Sequence, residues 1–305
     1  MKILVCMSDN RRLNGDLATA DYNSLAAAIN ASYCKRQGYD FRYYRPYLND
    51  RAEEPLYNCL DAKGRLRHAS WSKLLSMQRA VVTGGYEYVV YIDSDCIFKD
   101  WSHRIEDMIQ GHEGSDILVA TDAPFHPEQP CAGFFILKAG GDSKVAAKFL
   151  QDWYGVDMPR RNKGRYWEQS ALWSFFKTYP GLTLIDNCNF FKEGGTDQCL
   201  RHIASFQKGL RIPYFRDFLA AKGVDFAAVV RGISTIEFST VSGSVRGRGV
   251  VGDVDVVALR SNKSHRLAKK SRRTLRRSFR RSLRRSLRRS LRRSLRRTLR
   301  WSLQH

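Results

Sequence analysis

The sequence lacks the features of several protein classes. No apolar run approaches the length of a membrane span, and the apolar run near the N-terminus is too short for a signal peptide. The seven cysteines are spread singly, without a C-x-x-C pair, which argues against a disulfide framework or a zinc site. We therefore expect a soluble, cytoplasmic protein whose cysteines are mostly small buried apolar residues.

Glycine-rich phosphate loops are also missing. The loop from Ser8 to Asp16, after the first apolar segment, contains neither G-x-G-x-x-G nor G-x-x-x-x-G-K-[ST]. Both motifs place backbone amides around phosphates next to a helix N-terminus. Their absence argues against dinucleotide binding and P-loop chemistry.

Acidic residues are absent from the last part of the chain. Residues 261–305 contain 19 Lys or Arg and no Asp or Glu, whereas residues 1–260 hold 33 basic and 30 acidic residues. The net charge of +22 is therefore a property of the tail, in which Arg-Arg-Ser-Leu repeats from Arg272 to Arg297. So many like charges predict a tail that is disordered or only conditionally helical.

Strand and helix signals alternate through the first 200 residues. The predicted strands are 2–7, 40–44, 87–92, 117–120, 134–138 and 182–185, and the predicted helices are 21–37, 70–83, 143–154 and 168–178. Such alternation predicts an α/β fold with a mostly parallel sheet flanked by helices. Residues 216–260 differ, because 229–230, 235–241 and 250–259 read as short strands, and we expect a small β-rich appendage or a linker there.

The segment Tyr88 to Asp95 carries the strongest chemical signal. A run of β-forming residues ends at Asp93-Ser94-Asp95, and residues i and i+2 of a strand point to the same side. Asp93 and Asp95 are therefore expected to converge on one cation, with Ser94 facing away. Mg²⁺ and Mn²⁺ prefer oxygen ligands, and strand carboxyl ends are common ligand sites. The alternative is a solvated turn that closes the strand.

Four further segments accompany this motif. In chain order the five are Asp21 to Phe41, Trp71-Ser72-Lys73-Leu74, Tyr91-Ile92-Asp93-Ser94-Asp95, Ala132-Gly133-Phe134-Phe135-Ile136-Leu137 and Glu168-Gln169-Ser170-Ala171-Leu172. Together they resemble GT-A-fold, metal-dependent glycosyltransferases, most closely the retaining family 34 (galactosyl-, mannosyl- and xylosyltransferases), with features of family 8. The resemblance covers residues 1–210.

The resemblance implies a GT-A domain over residues 1–215. Such a domain would move a hexosyl or pentosyl group from a nucleoside diphosphate sugar to a glycan or other hydroxyl acceptor, with retention of the anomeric configuration. It implies Mn²⁺ (or Mg²⁺) held by Asp93, Asp95 and His202. The other implied site residues are Tyr22, Lys73, Ser94, Gly133 and Lys208 for donor binding, and Glu168 and Gln169 for catalysis.

The chain departs from the family pattern at two places. Cys131 stands where the family commonly has Asn. His202 and Lys208 are similar to the H-x5-K arrangement of family 8, but Ser205 replaces the usual Gly and Gly209-Leu210 replaces Pro-Trp or Pro-Cys.

Each assigned side chain also has an ordinary structural interpretation. His202 could cap or line a loop, and Lys73 could be a solvated helix residue. Gly133 could serve only close backbone packing, and Tyr22 could be an ordinary core aromatic. Glu168 could be an acidic residue at a helix N-terminus, where it interacts favourably with the helix dipole. Among functions, the main alternative is a protein that binds nucleic acid or anionic membrane through 261–305. A nucleotidyltransferase is a further alternative, against which the missing phosphate loop counts.

Deletion of residues 261–305 separates the enzyme from the polyanion-binding hypothesis. Because the body is nearly neutral and holds every motif residue, the deletion should preserve folding and sugar transfer but remove most binding to DNA, RNA or anionic vesicles. In the intact chain this binding should fall steeply between low and physiological salt, because counterion release dominates it. Filter binding and vesicle sedimentation at several salt concentrations measure it. Polyanion binding by the truncated chain would contradict the prediction.

Overall fold

The structure is a computed structural model that describes residues 1–48, 57–61, 65–123, 126–140, 144–157, 167–185 and 199–240. The Arg-rich tail 261–305 and the strand predicted at 250–259 lie outside these residues.

The described residues form eighteen helices and strands, apart from three short 3-10 turns at Ala69–Trp71, Phe176–Thr178 and Ser205–Leu210. In chain order they are β1 (Ile3–Ser8), α1 (Tyr22–Gln37), β2 (Asp40–Tyr47), β3 (Tyr57–Leu60), β4 (Leu66–His68), α2 (Ser72–Thr83), β5 (Tyr88–Ile92), β6 (Cys96–Phe98), α3 (Ile105–Ile109), β7 (Ile117–Asp122), β8 (His126–Lys138), α4 (Lys144–Gly155), α5 (Trp167–Trp173), β9 (Leu182–Ile185), β10 (Leu200–His202), α6 (Arg211–Ala221), α7 (Phe226–Gly232) and β11 (Ser234–Ser239).

Seven strands form the central sheet, in the order β11-β2-β1-β5-β8-β7-β9. Four of its six neighbouring pairs are parallel, and only β8 runs antiparallel to both of its neighbours. The predicted fold class, an α/β fold with a mostly parallel sheet flanked by helices, is confirmed.

The sheet is buried on both faces, which explains the continuous apolar runs of its inner strands. Successive β1 side chains alternate between two hydrophobic cores: Val5 belongs to the core that includes residues of α1 and α6, and Cys6 belongs to the core that includes residues of α2 and α4. All six cysteines of the described residues are buried, and none of them forms a disulfide. Among the described residues, no helix combines the length and apolar character needed to cross a bilayer.

Helix α1 ends where the sequence predicted. Gly38 follows its last residue with a φ of 78°, in the left-handed region that favours glycine, and the Gly38 amide donates to the Cys34 carbonyl. At the other end, the Asp21 carboxylate accepts a hydrogen bond from the backbone N–H of Tyr22.

Residues 216–240 are not the β-rich appendage that the sequence predicted. Val229 and Val230 lie in helix α7, where Val230 and Phe226, one turn apart, are both buried and Asp225 caps the helix through the Ala228 N–H. Strand β11 then pairs in parallel with β2 and forms one edge of the main sheet. An apolar pair in a short segment does not distinguish a helix face from a strand, which explains the error.

Four further elements differ from the predictions. The helix predicted at 168–178 is α5 followed by the 3-10 turn at Phe176–Thr178, and the strand predicted at 134–138 begins eight residues earlier as β8. The short strands β6 and β10, which the sequence did not reveal, pair antiparallel.

The packing of α6 on α1 generates a stability prediction. Phe215 of α6 is fully buried in the core shared with α1. Phe215→Ala should lower the free energy of unfolding by about 3–5 kcal/mol, the usual cost of removing a buried aromatic ring. Leu210→Ala, at a position just before α6 that is 52% exposed, should change it by less than about 0.5 kcal/mol. Urea denaturation measures both, and equal effects would show that Phe215 does not anchor α6.

Candidate active site

A cleft of about 430 Å³ opens at the carboxyl ends of β1 and β5. Its lining comprises Ser8, Asp9, Asn10, Arg11, Tyr22, His68, Ala69, Ser70, Ser72, Lys73, Tyr91, Asp93, Ser94, Asp95 and Glu168. Six residues that the sequence assigned to the site are in this set: Tyr22, Lys73, Asp93, Ser94, Asp95 and Glu168. A location beyond the carboxyl ends of parallel strands is usual for ligand sites in open α/β sheets.

The Asp93-Ser94-Asp95 segment is a turn and not the continuation of a strand. Strand β5 ends at Ile92, and the Cys96 amide donates to the Asp93 carbonyl at 3.0 Å. Strand alternation does not apply within a turn, so it gives no reason for Ser94 to face away from the cation that Asp93 and Asp95 were expected to share. Ser94 lines the cleft and its hydroxyl donates to Asp9 Oδ2 at 2.7 Å.

Lys73 lies at the base of the cleft, from the first turn of α2. Its Nζ is 2.8 Å from Asp93 Oδ1 and 3.0 Å from Glu168 Oε1, and it donates to the Ala132 carbonyl at 3.1 Å. Burial alone would lower the pKa of Lys73, but the carboxylates of Asp93 and Glu168 raise it above its ordinary value. With 3% of its surface exposed, Lys73 is not the solvated helix residue of the alternative interpretation.

Asp95 has two cationic partners, one for each carboxylate oxygen. Its Oδ1 is 3.2 Å from His202 Nε2, and its Oδ2 accepts from Arg211 Nη2 at 2.5 Å. Burial alone would raise the pKa of Asp95, but His202 and then Arg211 lower it to about 2. Asp95 is therefore ionised at neutral pH.

The β6–β10 pair brings His202 to the cleft motif. In its antiparallel register His202 lies directly opposite Cys96, the residue after Asp95. Asp95, Cys96 and His202 each offer one potential ligand atom, and these atoms lie within 4.8 Å of one another. A carboxylate oxygen and an imidazole nitrogen at this separation fit a divalent metal ion.

Gln169 and Gly133 lie behind the cleft rather than in its lining. Gln169 Oε1 accepts from the Ala132 amide at 3.0 Å, and its Nε2 donates to Asp122 Oδ2 at 3.2 Å. The Gly133 carbonyl accepts from the Asp93 amide at 2.9 Å, and a Cβ on Gly133 would be 3.4 Å from Asp93 Oδ2. A Cβ at this position would make only ordinary van der Waals contacts, so the packing does not by itself require glycine.

Tyr22 is a partly buried aromatic at the edge of the cleft. The guanidinium carbons of Arg11 and Arg211 lie 4.1 Å and 4.6 Å from the centre of its ring. Lys208, in contrast, is exposed on the 3-10 turn before α6 and is outside the cleft lining. Besides His202, the cation that contacts Asp95 is Arg211, three residues after Lys208.

Sequence reasoning missed Arg211, Asp9, Arg11 and Asp122. Arg211, Asp9 and Asp122 contact residues far away in the chain, whereas Arg11 pairs with the nearby Asp9 and Asp21, and no local motif marks any of the four. Cys96 could have been found, because it follows the aspartate motif directly.

The buried carboxyl of Asp122 generates a pH-dependence prediction. Burial raises the pKa of Asp122 to about 6, although His126 and His202 lower it. The folded state thus holds this proton more tightly than the unfolded chain, so its stabilising contribution is complete below about pH 4 and is lost as the pH rises through 6.

Asp122→Asn cannot ionise and should therefore gain stability relative to wild type between pH 4 and 7. After allowance for solvent screening, we expect a gain on the order of 1–2 kcal/mol. Denaturation curves in the presence of a chelator measure the difference at each pH. A difference that stays constant across this range would contradict the prediction.

The chain is similar to known proteins in its structure and not in its sequence. No protein-family model and no curated protein sequence matches the chain at a significant level. The fold is similar to that of a glycosyltransferase involved in the glycosylation of the major capsid of PBCV-1, with a TM-score of 0.53 and 16% identity over 71% of this chain and 100% of that one.

Two further solved structures are more distant. Glycosyltransferase GlyE of Streptococcus pneumoniae has a TM-score of 0.47 and 12% identity over 76% of this chain and 62% of its own. The galactosyltransferase LgtC, solved with donor and acceptor sugar analogues, has a TM-score of 0.39 and 9% identity over 72% of this chain and 96% of its own. The sheet, its flanking helices and the similarity to the PBCV-1 enzyme together establish a GT-A-like fold.

Proposed function

We propose that the protein is a metal-dependent glycosyltransferase that moves a sugar from a nucleoside diphosphate sugar to a glycan or another hydroxyl acceptor. The observation that carries the proposal is the cleft at the carboxyl ends of β1 and β5, in which Asp93 and Asp95 meet buried cationic side chains. Its volume of about 430 Å³ falls in the range of small-molecule sites. The GT-A-like fold supports the same reaction class.

Charge is the main chemical requirement of this reaction. When the bond between sugar and diphosphate breaks, negative charge develops on the diphosphate leaving group, and preorganised cations stabilise it. In this chain Arg11 lines the cleft, and Arg211 is bound to Asp95 beside it. Lys208, which the sequence assigned to the diphosphate, is outside the cleft lining, and we propose that the two arginines take over that role.

Asp93, Asp95 and His202 would hold a divalent metal ion, Mn²⁺ or Mg²⁺. When bound, the ion would supply further charge neutralisation for the diphosphate. The side chains around it keep its ligands in place: Arg211 fixes Asp95, and Lys73 together with the Tyr91 hydroxyl, which donates at 2.7 Å, fixes Asp93.

The remaining residues bind the two ends of the donor. Tyr22 offers an aromatic ring at the cleft edge for the nucleotide base. Glu168 presents a buried carboxylate that can accept hydrogen bonds from sugar hydroxyls, and Ser94 adds a hydroxyl to the cleft wall. Gln169, with both ends of its amide hydrogen-bonded, supports the wall beside the transferred sugar. We further propose retention of the anomeric configuration, on the family resemblance.

A donor screen tests the proposed function. Purified full-length protein is incubated with a panel of nucleoside diphosphate sugars and Mn²⁺, and release of nucleoside diphosphate is followed. One donor should be cleaved, and Asp95→Asn should reduce turnover by about 10²–10³-fold, because a preorganised charged group at the leaving group is lost.

The matched control is Asp152→Asn, which removes a carboxylate paired with Lys148 in the same helix, α4. It should leave turnover unchanged. Wild-type turnover in Asp95→Asn, or the absence of both donor cleavage and nucleoside diphosphate binding by calorimetry, would contradict the proposal.

A further inference from the structure

Cys96 lies among the residues that would hold the metal. It follows Asp95 directly, begins β6, and faces His202 across the antiparallel β6–β10 pair. Directly opposed residues in such a pair have Cβ atoms about 4.5–5.5 Å apart, so their side chains can share one ligand. Two independent features of the chain, adjacency to Asp95 and cross-strand register with His202, therefore bring the thiol to this site.

The distances among the three side chains fit the edges of one coordination polyhedron. Asp95 Oδ1 is 3.2 Å from His202 Nε2 and 3.9 Å from Cys96 Sγ. A tetrahedral site with metal–oxygen and metal–nitrogen bonds near 2.0–2.2 Å and a metal–sulfur bond near 2.3 Å has edges of about 3.3–3.6 Å. Shifts of a few tenths of an ångström would complete the geometry.

Asp95 is already oriented for this arrangement. Its Oδ2 is held by Arg211, while its Oδ1 faces the imidazole and the thiol. Asp93 points elsewhere, because both of its oxygens lie within 3.0 Å of Lys73 Nζ. Within the described part of the chain, the group of potential ligands gathered within 4.8 Å is Asp95, Cys96 and His202.

We propose that Cys96 is a metal ligand together with Asp95 and His202, and that this set selects ions of intermediate softness, such as Zn²⁺ or Co²⁺, over Mg²⁺. The inference rests on the proposed metal centre and revises it: Cys96 takes the place of Asp93, whose two oxygens are both paired with Lys73. Thiolates favour zinc and related ions, whereas Mg²⁺ prefers oxygen ligands in octahedral geometry. On binding, Cys96 coordinates as the thiolate and releases its proton to solvent.

A second buried thiol provides a matched control. Cys131 Sγ and Cys96 Sγ lie at almost equal distances, 3.5 Å and 3.6 Å, from the position that a Cβ on Gly133 would occupy. Both cysteines are buried and both are hydrogen-bonded to His202, but Cys131 is outside the group whose ligand atoms lie within 4.8 Å of one another, so it controls for contact with the imidazole. Serine at either position makes a comparable change in the same core.

Cobalt spectroscopy tests the inference without any assay of activity. The metal-free full-length protein is titrated with Co²⁺, and the sulfur-to-cobalt charge-transfer band in the near ultraviolet is recorded. The band should form in wild type and in Cys131→Ser, and should be absent in Cys96→Ser and Cys96→Ala. Zn²⁺ should abolish it by displacement, whereas excess Mg²⁺ should not. The affinity for Zn²⁺ should fall at least about 10–100-fold in both Cys96 variants.

Wild type alone can overturn the inference: Co²⁺ that binds by calorimetry without a charge-transfer band excludes a thiolate ligand, even if the Cys96 variants do not fold. A band that persists in Cys96→Ser and disappears in Cys131→Ser would show that the sulfur ligand is Cys131 and not Cys96. These failures differ from failure of the proposed function. If only the assignment of Cys96 fails, donor cleavage with Mn²⁺ still occurs. If the proposed function fails, no nucleoside diphosphate sugar is cleaved, whatever the cobalt spectrum shows.

Discussion

The arrangement of the cleft depends on one buried cation. Lys73 connects α2 to the end of β5 through Asp93, to α5 through Glu168 and to β8 through the Ala132 carbonyl. An unpaired charge at such a depth would cost several kcal/mol, so the lysine and its two carboxylates stabilise one another only as a set. Removal of Lys73 would leave the two buried carboxylates of Asp93 and Glu168 without the cation that they share. The cleft wall is therefore held by electrostatics as well as by packing.

On the Asp95 side of the cleft, a buried charge is likewise balanced by partners of opposite charge. Asp95 is balanced by Arg211 from α6 and His202 from β10, both more than one hundred residues away in sequence. Helix α6 is in turn anchored on α1 by Phe215 and Leu219, which are buried in their shared core. Arg211 thus holds a residue of the cleft, although it lies just beyond residues 1–210, which the family resemblance covers. The ion pair of Asp95 with Arg211 therefore depends on the packing of α6 against α1.

The sequence predicted the features of the fold and the site that depend on local residue patterns. Apolar runs and the stop at Gly38 located the sheet strands and α1, and the aspartate motif located the cleft. It did not reveal the antiparallel pair of β6 and β10, because three-residue strands carry no periodic signal, nor the role of Arg211, because only tertiary packing brings it to Asp95. Val229-Val230 was misread because a short apolar run fits a helix and a strand equally well.

The single cysteines illustrate this limit most clearly. Zinc sites are recognised in a sequence by closely spaced ligand pairs, and this chain has no C-x-x-C. The fold nevertheless places Cys96 opposite His202 and beside Asp95, so that strand register brings together ligands that are distant in sequence. Because Arg211 already holds one Asp95 oxygen, an ion at this site does not need to neutralise the aspartate alone. Such a site can therefore derive its selectivity from the sulfur and the imidazole rather than from carboxylate charge, which distinguishes it from a site made of oxygen ligands.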